Sequence, residues 1–250
     1  MYHIVIPARF AATRLPGKPL LDIAGHPMVW WVWKAACRAS ATSVVVATDD
    51  ERIAEVMTHA GADVAVTRPD HPSGTDRLAE VVDQRGWTPD SIVVNLQGDE
   101  PLMPVVNLEQ VADLLASDTE ASIATLSEPL ESYDQLDDPS VVKVVVNQQG
   151  RALFFSRAAI PRPRDLSDAT RALAMNTARR HVGLYAYRAR FLKDFVTWPT
   201  GALERLEGLE QLRALEQGRL IAVAPARQSV PPGVDTQADL DRVRAELDAE

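Results

Sequence analysis

Apolar residues alternate between short β-rich runs and stretches of helical spacing along the first half of the chain. Residues 2–6 form a compact apolar run that enters a segment punctuated by Pro7, Pro16, Gly17 and Pro19, which predicts a buried strand followed by a long, stiffened connection. Pro27 opens a helix over 28–40, because proline's fixed φ suits the first helical position. The run 43–48, containing Val44-Val45-Val46, predicts a second strand. Asp49 or Asp50 is placed to cap a helix over 51–60 that Gly61 closes. Residues 63–67 and 91–96 read as strands, and 75–84 and 105–116 as helices. This alternation predicts an α/β fold with a Rossmann-like, mainly parallel sheet flanked by helices.

The second half has another rhythm. Residues 141–146 and 151–156 flank Gln148-Gln149-Gly150 and read as a hairpin. A strand over 181–187, a helix over 203–217, a strand over 220–224 and a closing helix over 237–247, capped by Thr236, complete the pattern. The Arg-rich stretch 161–180 shows no clear period and reads as a loop. The expectation is one domain over 1–250, with a core formed by about 1–135 and 200–250 and a smaller β-hairpin lobe over about 136–199. Trp30 and Trp33 share a helix face and are read as packing residues, and Cys37 as a small buried hydrophobe.

Composition narrows the function classes. Hydrophobic residues make up 46% and charged residues 24%, ordinary values for a globular chain. No apolar run approaches the roughly 18 residues of a membrane span, and the N-terminal segment lacks a basic, apolar leader, so no membrane insertion is expected. A single cysteine excludes an internal disulfide framework and a cysteine-clustered zinc site, and fits a cytoplasmic setting. A net charge of −9 argues against a nucleic-acid-binding face. Yet residues 1–21 contain no acid while holding Arg9, Arg14 and Lys18, which is either an anion site or a chance gap in the acidic residues.

Ligands of open α/β sheets bind beyond the carboxyl ends of the strands. The candidate loops are therefore those carrying Pro7-Ala8-Arg9 through Arg14 and Lys18, Ser73-Gly74-Thr75-Asp76-Arg77, and Gln97-Gly98-Asp99-Glu100-Pro101. The first offers three cations to a polyphosphate without matching a P-loop or a dinucleotide fingerprint. Asp99 suits Mg²⁺, which accepts one or two carboxylates plus water and phosphate oxygens, although on spacing alone a Gly98-Asp99 turn before Pro101 is the commoner reading. Asp235 reads first as a helix N-cap, Arg157 as a surface ion pair and His181 as a half-buried strand histidine sharing a face with Tyr185.

Taken together, 9–20, Ser73-Gly74-Thr75-Asp76-Arg77, Gln97-Gly98-Asp99-Glu100-Pro101, Phe155-Ser156-Arg157, His181-Val182-Gly183-Leu184-Tyr185, Leu209-Glu210-Gln211-Leu212-Arg213 and Gly233-Val234-Asp235-Thr236 closely resemble the sugar-acid cytidylyltransferases. Their order matches the branch acting on 3-deoxy-manno-octulosonate (Kdo), over nearly the whole chain. Ala12 stands where serine is usual, and Asp138-Pro139-Ser140 replaces a more usual Asn-Pro-Asn.

The resemblance implies that the anomeric hydroxyl of Kdo attacks the α-phosphorus of CTP, activating the sugar for lipopolysaccharide synthesis. It implies catalytic roles for Lys18, Asp99 and Asp235, with Asp99 and Asp235 holding Mg²⁺ and a second ion carried in with CTP. Pro7, Ala8, Arg9, Thr13, Arg14, Lys18, Ser73, Gly74 and Arg77 are expected on the nucleotide. Gln97, Arg157, His181, Tyr185, Glu210 and Gln211 are expected on the sugar. A homodimer paired through the hairpin lobe is also implied. An amino-substituted Kdo, a sialic acid, or a non-catalytic nucleotide-binding role stand as alternatives.

Overall fold

The computed structural model describes residues 1–11, 15–165 and 167–247. Strand β1 (Tyr2–Ala8) lies inside the sheet, with Ile4, Val5 and Ile6 fully buried, which is what a parallel strand covered on both faces requires. A two-residue ribbon, β2 (Asp22–Ile23) with β3 (His26–Pro27), leads into α1 (Met28–Ala36). Then follow β4 (Ser43–Thr48), α2 (Glu51–His59), β5 (Asp63–Val66), α3 (Gly74–Arg85), β6 (Ile92–Asn95) and α4 (Val105–Ser117). Asp50 caps α2, its carboxylate accepting from the Arg52 amide, and Gly61 ends the helix at φ 86°. Cys37 is exposed just beyond α1, not buried as its type suggested, because the helix turns its Met28, Val29, Val32 and Ala36 face to the core. Trp30 and Trp33 pack at the core margin, Trp30 stacked on His26 at 3.8 Å.

The second half adds β7 (Ile123–Pro129), α5 (Tyr133–Asp137), the antiparallel pair β8 (Lys143–Val146) and β9 (Ala152–Ser156), α6 (Asp168–Thr177) and β10 (Arg179–Arg188). After it come α7 (Ala189–Phe195), α8 (Ala202–Glu207), α9 (Gln211–Glu216), β11 (Ile221–Pro225) and α10 (Gln237–Leu247). Two expectations are corrected here. The stretch 161–180 is not loop throughout: Ser167 caps α6, which buries only Ala174 and so carries no apolar stripe to read. The single helix expected over 203–217 is two, broken by Gly208 at φ 63°.

The nine-stranded sheet runs β11-β7-β10-β6-β1-β4-β5, with β8 pairing β10 and β9. β4, β1 and β6 are mutually parallel, as are β7 and β11, whereas β10 runs antiparallel to both β6 and β7. That reversal fixes the geometry of the site. Tyr185 pairs with Asn95, the last residue of β6, so the N-terminal half of β10 lies at the rim where β1 and β6 end. Two apolar clusters cover the two faces, one built on Ile4, Ile6 and α4, the other on Val5, Leu78 and Phe191. Among the described residues no helix is long and apolar enough to cross a membrane.

Candidate active site

The rim loops are held together by close backbone approach. A side chain at Gly98 would bring Cβ to 2.8 Å from the Pro7 carbonyl oxygen, so only glycine lets the loop after β6 lie against the end of β1. On its other side the segment before α10 docks on this loop. The Val234 amide donates to the Asp99 carbonyl at 2.9 Å, and a Cβ at Gly233 would stand 3.2 Å from that same oxygen. Thr236 caps α10, its hydroxyl accepting from the Asp239 amide while the Asp239 carboxylate accepts from the Thr236 amide.

Lys18 reaches into this junction. Its Nζ donates to Asp99 Oδ2 at 2.7 Å, to Asp235 Oδ1 at 3.0 Å and to the Val234 carbonyl at 2.6 Å. Burial alone would push the ammonium's pKa down, but the charges and hydrogen bonds of Asp99 and Asp235 outweigh it and the net shift is upward. One ammonium thus gathers two carboxylates and a carbonyl from distant parts of the chain. This all-oxygen set with a cation already at its centre is the chemistry a divalent ion of the Mg²⁺ type accepts. Among the described residues no cluster of three or more His, Cys, Asp or Glu side chains forms a complete cage, so substrate oxygens and water would have to complete such a shell.

Two cavities adjoin at Gly74 and Gln97. One, of about 250 Å³, is lined by Pro7, Ala8, Arg9, Ala11, Lys18, Pro19, Gly98 and Asp99 as well as the shared pair. The other, of about 350 Å³, is lined by Thr75, Asn95, Glu100, Gly183, Tyr185, Tyr187, Gly208, Leu209, Glu210 and Gln211 beside the same two residues. A third groove, of about 410 Å³, lies along α1, residues 101–106 and α10 and holds none of the expected site residues.

The structure brings together Pro7, Ala8, Arg9, Lys18, Gly74 and Asp99 around the first cavity, and Gln97, Tyr185, Glu210 and Gln211 around the second. Arg9 is anchored by donating to the His71 carbonyl at 3.0 Å. Ser73 caps α3 beside them. Arg77 is turned elsewhere: fully buried, it pairs with Asp49 at 3.1 Å and donates to the Thr67 hydroxyl, lining neither cavity and bracing the loop 67–73 instead. Arg157 also lines neither; it donates to the Glu207 carbonyl at 2.8 Å and the Pro139 carbonyl at 3.1 Å. Thr13 and Arg14 lie outside the described residues.

His181 sits behind Tyr185, its ring 5.3 Å from the phenol ring and its Nε2 3.0 Å from the Thr125 hydroxyl. Burial, with Arg180 nearby, pushes the imidazole down to about 3, so it is neutral at pH 7. Glu210 accepts from the Thr75 hydroxyl at 2.8 Å, and burial raises its pKa. Asn95 and Glu100 are cavity residues that sequence reasoning did not single out. Burial, reinforced by the Asp99 charge, pushes the Glu100 carboxyl up to about 8. Asn95 was hidden as the polar end of an apolar strand, and Glu100 read as part of a turn beside Asp99.

The chain matches the cytidylyltransferase family profile over residues 3–221. It is 57% identical over 243 residues to a 3-deoxy-manno-octulosonate cytidylyltransferase of Chromohalobacter salexigens, covering 96% of this chain and 94% of the relative. It is 55% identical over 250 residues to that of Pseudomonas fluorescens, covering 99% and 98%. A solved structure of CMP:2-keto-3-deoxy-manno-octonic acid synthetase complexed with CTP superposes with a TM-score of 0.89 at 40% identity, covering 100% of this chain and 99% of the other. A cytidylyltransferase of Leptospira borgpetersenii, 16% identical with a TM-score of 0.65, shares the fold.

Proposed function

The chain belongs to the cytidylyltransferase family, and from that premise we propose that it transfers CMP from CTP to the anomeric hydroxyl of Kdo, giving CMP-Kdo and pyrophosphate. The observation that carries the chemical reading is the Lys18 ammonium bridging Asp99 and Asp235 at the mouth of the first cavity. In this reaction the sugar oxygen forms a bond to the α-phosphorus, the bond from that phosphorus to the β-phosphate oxygen breaks, pyrophosphate leaves and the hydroxyl proton passes to solvent. Triphosphate and sugar acid are both anionic, so positioning and charge neutralisation are the main demands on the protein.

Arg9 and Lys18 line the first cavity and are the groups to hold phosphate oxygens there, with the Lys18 ammonium countering charge on the leaving pyrophosphate. Thr13 and Arg14 belong to the same nucleotide-binding proposal. Asp99 and Asp235 would hold Mg²⁺, with a second ion accompanying the triphosphate. When bound, the metal supplies charge neutralisation between nucleotide and sugar acid and lowers the pKa of the attacking hydroxyl. Gln97, Tyr185, Glu210 and Gln211 face the adjoining cavity and are the groups to orient the sugar. Neutral His181 backs Tyr185, its ring beside the phenol, and carries no positive charge at pH 7. Arg157, tied to backbone carbonyls, supports this wall from outside the cavity.

Of the lobe expected over 136–199, β10 lies inside the main sheet, and the hairpin β8–β9 is the proposed dimer surface, a reading supported by the exposed Leu153 on β9. The cytoplasm, where CTP is made and a lone cysteine stays reduced, is the proposed location, and lipopolysaccharide assembly the proposed use. The deciding experiment is a pyrophosphate-release assay with CTP, Kdo and Mg²⁺, repeated with chelator and with sialic acid or an amino-substituted Kdo. Release that requires Kdo and the metal is expected. Equal or faster release with another sugar acid, or none with any, overturns the assignment.

A further inference from the structure

The two adjoining cavities differ sharply in charge. The first carries Arg9 and Lys18, whereas among the described residues no Lys, Arg or His side chain lines the second, which instead presents the carboxyl groups of Glu100 and Glu210. Among these lining residues an acidic group meets no counter-charge, while hydroxyl groups find acceptors. The same cavity holds three buried side-chain polar atoms without a hydrogen-bond partner: Asn95 Oδ1, Glu100 Oε2 and Gln211 Nε2. Asn95 is 3% exposed and Gln211 8%, so bulk water does not solvate them. Leaving a buried polar atom unpaired is costly, and such atoms are few in native proteins. Three converging on one cavity form an unfilled hydrogen-bonding surface.

Resting on the Kdo reading above, we propose that Asn95 and Glu100 are specificity-determining residues that, together with Gln211, grip hydroxyls on the polyol end of the sugar, leaving its carboxylate to face the first cavity. Asn95 is well suited to this work. It ends β6, where its backbone pairs with Tyr185 of β10, so its side chain is carried on the rigid sheet rather than on a loop. Glu100 approaches from the loop after β6, whose place is fixed by Gly98 lying against Pro7. A site built to hydrogen-bond a substrate hydroxyl rejects an analogue lacking it, because its own buried polar groups then stay unpaired.

The test measures pyrophosphate release by wild type, Asn95→Leu and Glu100→Met with Kdo and with each monodeoxy analogue of Kdo, at saturating CTP and Mg²⁺. Each variant is expected to raise KM for Kdo about five- to tenfold, with the KM for CTP and the half-saturating Mg²⁺ concentration changing less than about twofold. For one analogue, the one missing the hydroxyl that residue holds, the variant's penalty should vanish, as a double-mutant-type cycle requires. A penalty equal across Kdo and every analogue, an equal rise in KM for CTP, a shifted Mg²⁺ requirement, or no penalty at all would each overturn the inference. Glu100→Met keeps side-chain volume while removing the polar atoms, so it decides the matter alone if Asn95→Leu does not fold. Wild type inactive with Kdo overturns the functional reading and this inference together; active wild type with variants showing any of those failures overturns the inference alone.

Discussion

Replacing Lys18 with Met should separate the two tasks placed on its ammonium. In the structure that group is only 13% exposed, with Asp99 34% and Asp235 58% exposed at their side chains. The Asp235 contact is largely solvated and adds little, as surface pairs do. The Asp99 contact and the hydrogen bond to Val234 are better shielded, and a hydrogen bond involving a charged group contributes roughly 1.5–3 kcal/mol. Losing both, each taken at the lower end because the site is partly solvated, sets the cost in metal-free protein at about 3 kcal/mol, or about 6–12 °C in Tm for a domain of this size. The two carboxylates are then left facing one another with no ammonium to displace. Affinity for Mn²⁺ without nucleotide, read by electron paramagnetic resonance, should therefore rise by on the order of tenfold, and saturating Mn²⁺ should restore most of the lost Tm. Turnover of CTP should nevertheless fall by at least about 10². If Lys18→Met folds yet binds Mn²⁺ no better than wild type, the idea that Asp99 and Asp235 form the ion's seat is refuted.

Asp99→Asn should cut turnover by at least about 10² while leaving Tm within a few degrees; activity within a few-fold of wild type in the pyrophosphate assay would remove Asp99 from the chemistry. Gly98→Ala forces its Cβ toward the Pro7 carbonyl, so KM for CTP should rise more than KM for Kdo and Tm should drop, both measurable on one preparation. The His181 imidazole is depressed to about 3 in the folded chain but titrates near 6.5 when unfolded. Between those values the unfolded state binds the extra proton, so His181 contributes stability above about pH 6.5 that is lost as pH falls toward 3. A Tm profile of His181→Gln should be flatter than wild type across that window, and an unchanged slope would show that another group controls acid stability.

Most of the sheet could be read from the chain because its parallel strands are apolar on both faces and so appear as unbroken runs, as in 43–48. Strand β7 escaped notice for the opposite reason. It buries Thr125, Ser127 and Glu128, whose polar groups are satisfied inside the protein, with the Thr125 hydroxyl donating to the Val182 and Leu184 carbonyls. Such a strand shows neither an apolar run nor an alternation. Helix α7 is short, and the break at Gly208 rests on a left-handed glycine that a helical period passes over. Within the site, Lys18, Asp99 and Asp235 could be named from ordered motifs, but their meeting at one ammonium depends on contacts among the loops after β1 and β6 and the segment before α10. Arg77 lies in a motif yet is swallowed by Asp49 and Thr67, a fate that burial alone decides.

The docking of Val234 on Asp99 has a consequence for synthesis. During translation the loops bearing Lys18 and Asp99 leave the ribosome long before the stretch around Gly233, and the second carboxylate arrives only with it. A nascent chain halted earlier carries Lys18 paired to one acid and no seat for a divalent ion, however completely the preceding strands have assembled. Competence for nucleotide chemistry is in this way deferred until the final helix has somewhere to land.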